Sequence, residues 1–254
     1  MKAQEIAELF QLHALTAMTE ALGRGAFVVA GAANCRFYYN SPRYADDLEI
    51  EIAGIAAPDV LKRIDQVIRS PLLIRTLVVD GISVESWDQS VQSTARDTWT
   101  IALAHQSLSR AVSTRVEISY LEYPYPREAS VVEPMSSEMR RAYPHLHLPL
   151  VRHYLPAAAL EQKIIALKDR SATQPRDVFD LDVLFRAYPD ALRSGDIDRS
   201  LLSIAIDRTM SISYELYAAK VGAFLEPGLE HLATREHWNA LSVSVIDRLE
   251  ELAR

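Results

Sequence analysis

Apolar side chains recur every three or four positions across residues 4–22, at Ile6, Leu9, Phe10, Ala14 and Ala17 with His13 on the same side, and the run stops at Gly23. That spacing predicts an amphipathic helix, because 3.6 residues per turn gather these positions on one face and glycine commonly ends the last turn. Phe27-Val28-Val29 then reads as a short strand, Gly31 as a turn, the residues to Tyr39 as a short helix, and Leu48, Ile50 and Ile52 as the inward positions of a second strand. Asp47, Glu49 and Glu51 fill the alternate positions, which places their three carboxylates on one face.

Pro58 opens a further helix through Val60, Leu61, Ile64, Val67 and Ile68. Residues 98–103 and 115–120 are rich in β-formers. In the latter, Val116, Ile118 and Tyr120 alternate with Glu117, so Glu117 is expected on the face that Asp47 and Glu49 share. Pro124, Pro126 and Pro134 predict a surface loop. From Pro156 the period is helical almost to the end, over residues 160–167, 178–185, 201–224 and 238–252. Strands first and helices afterwards predict an α+β fold, with a strand-rich lobe over residues 1–150 and a helical C-terminal lobe over 151–254.

Composition adds bounds. The 254 residues are 49% hydrophobic, enough for a sizeable core. The charged run after Lys2 does not read as a signal peptide and no apolar stretch approaches a membrane span, so a cytoplasmic protein is expected. Cys35, the one cysteine, reads as a small core residue. A net charge of −7 argues against a broad nucleic-acid footprint, although Arg140-Arg141 and Lys168-Asp169-Arg170 could form a local patch. His145, His147 and His153 lack the companions of a zinc site and read as strand-face residues. No Gly-x-Ser-x-Gly elbow is present.

Alternating acids on a strand are also what a half-exposed sheet face looks like. What makes the set specific is its order: Gly31, Arg36, Tyr39, Arg43, Asp47 and Leu48. This order resembles, without insertion or deletion, the first motif of the AbiEii family of nucleotidyltransferase toxins: a strand, Lys-Gly-Gly-Thr/Ser, a helix with an arginine, then Arg-x-Ser-x-Asp-Leu-Asp. Ala30, Ala32, Ala33, Ala45 and Glu49 depart from that pattern. The resemblance continues in the helix carrying Lys163, Ala166 and Leu167, in Arg170, and in Arg176-Asp177-Val178-Phe179-Asp180-Leu181, where Gln162 replaces the family's glutamate.

The resemblance implies a nucleotidyltransferase-like mixed-sheet lobe beside the helical one. It implies Mg2+ as cofactor, a nucleoside triphosphate as donor, an acceptor such as transfer RNA, and a cognate antitoxin as partner. Asp47, Glu49 and Glu117 would hold the metal, and Lys163 and Asp177 would join them in catalysis. Gly31, Ala32, Ala33, Arg36, Arg43, Lys163, Arg170 and Arg176 would face the nucleotide, with the part of Asp180 left open. The alternative is a protein of this fold whose altered glycine turn binds nucleotide or a protein partner without transfer.

Overall fold

The computed structural model describes residues 1–53, 57–93, 96–121 and 127–254. They group into two units, Met1–Tyr38 with Tyr44–Tyr154 and Tyr39–Arg43 with Leu155–Arg254.

The first unit starts with α1 (Ala3–Leu22), which buries Ile6, Leu9, Phe10, Leu15 and Met18 and ends at Gly23 in a positive-φ conformation. Then follow β1 (Val28–Val29), α2 (Gly31–Tyr38), β2 (Leu48–Ala53), α3 (Ala57–Ile68), α4 (Pro71–Val79), β3 (Ile82–Ser93), β4 (Arg96–His105), β5 (Val112–Leu121), β6 (Ser130–Glu133), α5 (Ser137–Ala142) and β7 (Val151–Tyr154). The seven strands form one mixed sheet in the order β3-β4-β5-β2-β1-β7-β6. β2 lies at its centre, parallel to β5 on one side and antiparallel to β1 on the other. Leu48, Ile50 and Ile52 are buried while Glu49 and Glu51 are half-buried, so the alternation read from the sequence is the pleat of a central strand.

The sequence pattern missed α4, whose start is set by Ser70 accepting a hydrogen bond from the Leu73 amide with Pro71 in the first turn. It also missed β3, an edge strand carrying Ser83, Glu85, Asp88 and Gln89, which among the described residues pairs with β4 alone. A polar edge strand has little periodicity to read. His145 and His147 lie outside any strand, which corrects the strand-face reading; only His153 sits in one, on β7. The loop expected from Pro124 and Pro126 lies outside the described residues.

The second unit contains α6 (Pro156–Asp169), α7 (Pro175–Ala187), α8 (Arg199–Met210), α9 (Tyr214–Val221) and α10 (Arg235–Ala253). Its core includes Leu160, Ile164, Leu181, Tyr217 and Leu249. The single helix expected over residues 201–224 is two, because α8 ends at Ser211 and the Ser213 hydroxyl caps α9 by accepting from the Leu216 amide. The segment Tyr39–Arg43 belongs here: the Tyr39 ring meets Tyr188 edge-on at 5.2 Å, and Arg43 forms a β-bridge with Leu225. Among the described residues no helix is long and apolar enough to cross a membrane.

Candidate functional site

The turn between β1 and α2 is closed by the Ala30 amide, which donates to the Glu49 carbonyl at 3.0 Å. Gly31 follows at φ +59°, in the left-handed region. A Cβ built on it would lie 1.3 Å from Glu49 Oε2, so the Glu49 carboxylate fills the space a side chain would need. Glycine is therefore required for the backbone angle, while a side chain there would in addition make the flexible end of Glu49 move aside. Gly31→Ala is expected to destabilise the protein by about 1–3 kcal/mol. Adding Glu49→Ala should recover the steric part of that loss but not the backbone part, which urea melts of the two single variants and the double variant would separate. Ala32 is half-buried and Ala33 fully buried in the first turn of α2.

On the same sheet, β2 and β5 run parallel with Glu49 directly beside Glu117. Asp47 is buried just before β2 begins. Between the acids stands Arg115, two residues from Glu117 and hence on the same face of β5. Its Nε donates to Asp47 Oδ1 at 2.9 Å and its Nη2 donates to Asp47 Oδ2. Its Nη1 is 3.3 Å from Glu117 Oε1, and Arg96 Nη1 is 3.7 Å from Glu117 Oε2.

These groups perturb one another. Burial, then repulsion from Glu49 and Asp47, pushes the Glu117 carboxyl up, against the pull of Arg115 and Arg96. Burial and Glu49 likewise push Glu51 up, although the Tyr154 hydroxyl donates to it. The hydrogen bond to Asp47 holds the Arg115 guanidinium firmly protonated. Arg115 and Arg96 were not singled out from the sequence, although the alternation that placed Glu117 places Arg115 beside it.

Three carboxylates without a softer ligand are the donor set of a hard cation such as magnesium, and the Glu117 carboxyl is pushed up first by its burial and then by Glu49 and Asp47 beside it. The donors fit in kind. Among the described residues, however, no three His, Cys, Asp or Glu side chains are already arranged to hold a metal ion. Asp47 is turned to Arg115, and Glu49 to Gly31.

A second cluster is built inside the helical unit. Lys163, on α6, donates to Asp177 Oδ1 at 3.3 Å and lies 2.6 Å from Asp180 Oδ2. Asp177 and Asp180 are three apart on α7 and share a face, which lets one ammonium reach both. Arg43 Nη2 donates to the two Asp180 oxygens at 3.0 and 3.3 Å. Arg170, the residue that ends α6, places Nε 3.0 Å from Asp177 Oδ2 as an ion pair without hydrogen-bond geometry. Burial pushes the Asp180 carboxyl up, yet Arg43 and Lys163 together more than offset it and hold it below its ordinary value. Arg176 is half-buried in the first turn of α7.

Arg36 and Arg43 were expected to face a nucleotide. The structure gives each a buried acid within its own unit. Arg36 donates through Nε and Nη2 to Glu8 at 2.6 and 3.0 Å, lies over the Tyr44 ring, and shares Glu8 with the Tyr143 hydroxyl. Arg43, 1% exposed, is engaged with Asp180.

The sequence model of the AbiEii family, described as a nucleotidyl transferase toxin of type IV toxin–antitoxin systems, matches residues 13–251. The chain belongs to the AbiEii family. Two solved structures share its fold. The crystal structure of JHP933 from Helicobacter pylori is 16% identical, with a TM-score of 0.60 over 98% of this chain and 94% of that one. A crystal structure from H. pylori described as a candidate nucleotidyltransferase is 17% identical, with a TM-score of 0.61 over 100% and 99%. No curated protein matches the chain. The AbiEii membership and the mixed sheet accord with the α+β nucleotidyltransferase-like fold expected from the sequence.

Proposed function

We propose that this AbiEii protein transfers a nucleotidyl group from a nucleoside triphosphate to an acceptor such as transfer RNA, with magnesium held by Asp47, Glu49 and Glu117. The observation that carries this reading is the side-by-side register of Glu49 and Glu117 with Asp47 tied into the same face through Arg115. In such a transfer the acceptor oxygen bonds to the α-phosphorus while the bridge to the β-phosphate breaks and pyrophosphate leaves. Magnesium, when bound, supplies charge stabilisation for the attacking oxygen and the leaving pyrophosphate.

The protein's own residues supply the rest. The amides of Ala32 and Ala33 at the α2 N-terminus are the phosphate-facing donors, as helix N-termini are elsewhere. Lys163 and Arg170 take the phosphate-facing role among the helices. Asp177 accepts a hydrogen bond from Lys163, and by the family pattern, not by its exposure, it takes the part of relieving an acceptor hydroxyl of its proton. A separately encoded antitoxin and a cytoplasmic setting follow from the same reading.

One observation favours a second reading, a nucleotide- or protein-binding member that does not transfer: the Glu49 carboxylate packs over Gly31 where the family's second aspartate is shorter. The deciding experiment incubates the purified protein with each labelled nucleoside triphosphate, total cellular RNA and Mg2+. Label should enter RNA, and chelation of divalent ions should abolish the transfer. Nucleotide binding by calorimetry with no label transferred would establish the second reading instead.

A further inference from the structure

Resting on the metal reading above, we infer that Arg115 is a built-in counter-ion of the carboxylate face, and that a divalent cation and the Arg115 guanidinium compete for Asp47 and Glu117. One planar guanidinium engages both residues, two N–H groups on Asp47 and the third nitrogen against Glu117. That fork matches a carboxylate in a way an ammonium would not.

Among the described residues, the acids that the Arg115 side chain meets at ion-pair distance are these two. The side chain is 40% exposed, so it can leave the face for water while its strand stays fixed. The acids cannot do likewise: Asp47 and Glu117 are 9% and 11% exposed, and without a cation beside them Glu49, Glu117 and Asp47 would repel one another at close range. The remaining arginine at Glu117, Arg96, is 3.7 Å away and 51% exposed, too loosely held to replace Arg115. The face thus requires a cation, and Arg115 supplies it when metal is absent.

The test titrates Mn2+ into full-length wild type, Arg115→Gln, Arg115→Lys and Asp47→Ala, counting free Mn2+ by electron paramagnetic resonance. Arg115→Gln should bind Mn2+ about fivefold or more tightly than wild type, as expected when a competing partly exposed ion pair is removed, with Arg115→Lys between them. Thermal melts give a second readout. In metal-free buffer Arg115→Gln should melt below wild type, and Mg2+ should raise its midpoint further than that of wild type. Mn2+ binding that is unchanged or weaker in Arg115→Gln, or a lowered midpoint that Mg2+ does not raise, would show a purely structural arginine and overturn the inference. If wild type and Arg115→Gln bind no more Mn2+ than Asp47→Ala, the metal reading fails and the inference falls with it.

Discussion

Replacing Asp180 by alanine is expected to destabilise the protein by about 3–5 kcal/mol, because removal of one member of a buried ionic cluster leaves excess charge of the opposite sign in the interior. Asp180 is fully buried and holds both Arg43, whose side chain is 1% exposed, and Lys163, whose side chain is 7% exposed; its loss takes one acid away from two buried cations. Lys163 keeps Asp177, while Arg43 loses the acid to which its Nη2 donates. A urea midpoint lower by roughly 1 M or more is the expected readout. Asp180→Asn should be milder, since the amide oxygen can still accept from one cation while the charge is gone.

The same group sets an acid limit. Its folded carboxyl titrates below the ordinary value of 3.8, so the stabilisation it gives is fully present above that value and is lost as pH falls through the lower, folded one. Wild type should therefore lose stability below about pH 4, and Asp180→Asn should lose less over that interval, having no carboxylate there to protonate. Parallel acid limbs in the two proteins would show that other carboxylates govern acid unfolding.

Several parts of this architecture were legible because they depend on neighbours in the chain. The pleat of β2 could be read from Leu48, Ile50 and Ile52 against Glu49 and Glu51, and the α7 pairing of Asp177 with Asp180 from helical spacing. Glu117 was placed on its face by alternation alone, and strand pairing then set it beside Glu49. What could not be read depends on distant partners. Arg36 and Arg43 look the same in sequence whether they meet phosphate or protein, and their acids Glu8 and Asp180 lie 28 and 137 residues away. Arg115 and Asp47 are 68 apart, so the ion pair that occupies the carboxylate face had no local signature. The close approach of Glu49 to Gly31 was equally hidden, since no periodicity encodes where the end of a side chain comes to rest.

Asp47→Asn should lower nucleotidyl transfer by on the order of 10²–10³-fold, the usual effect of removing one preorganised charged group from a site where charge develops in the transition state. The substitution keeps the size of the side chain and one acceptor oxygen for Arg115, but removes the negative charge that makes this position a strong ligand for a hard cation. Its effect on folding should be small. Arg115, 40% exposed, can turn to water when its partner is neutralised, and the amide that takes the place of the buried Asp47 carboxylate carries no charge to strand. The prediction is therefore a separation: thermal midpoint near wild type, transfer nearly gone, and higher Mg2+ needed for whatever remains. Label transfer at the wild-type rate by Asp47→Asn would move the chemistry away from this face, whatever the family membership implies. Loss of transfer together with a collapsed midpoint would instead mean that Asp47 acts through the fold, and Glu117→Gln on the neighbouring strand would then be the cleaner probe of the same carboxylates.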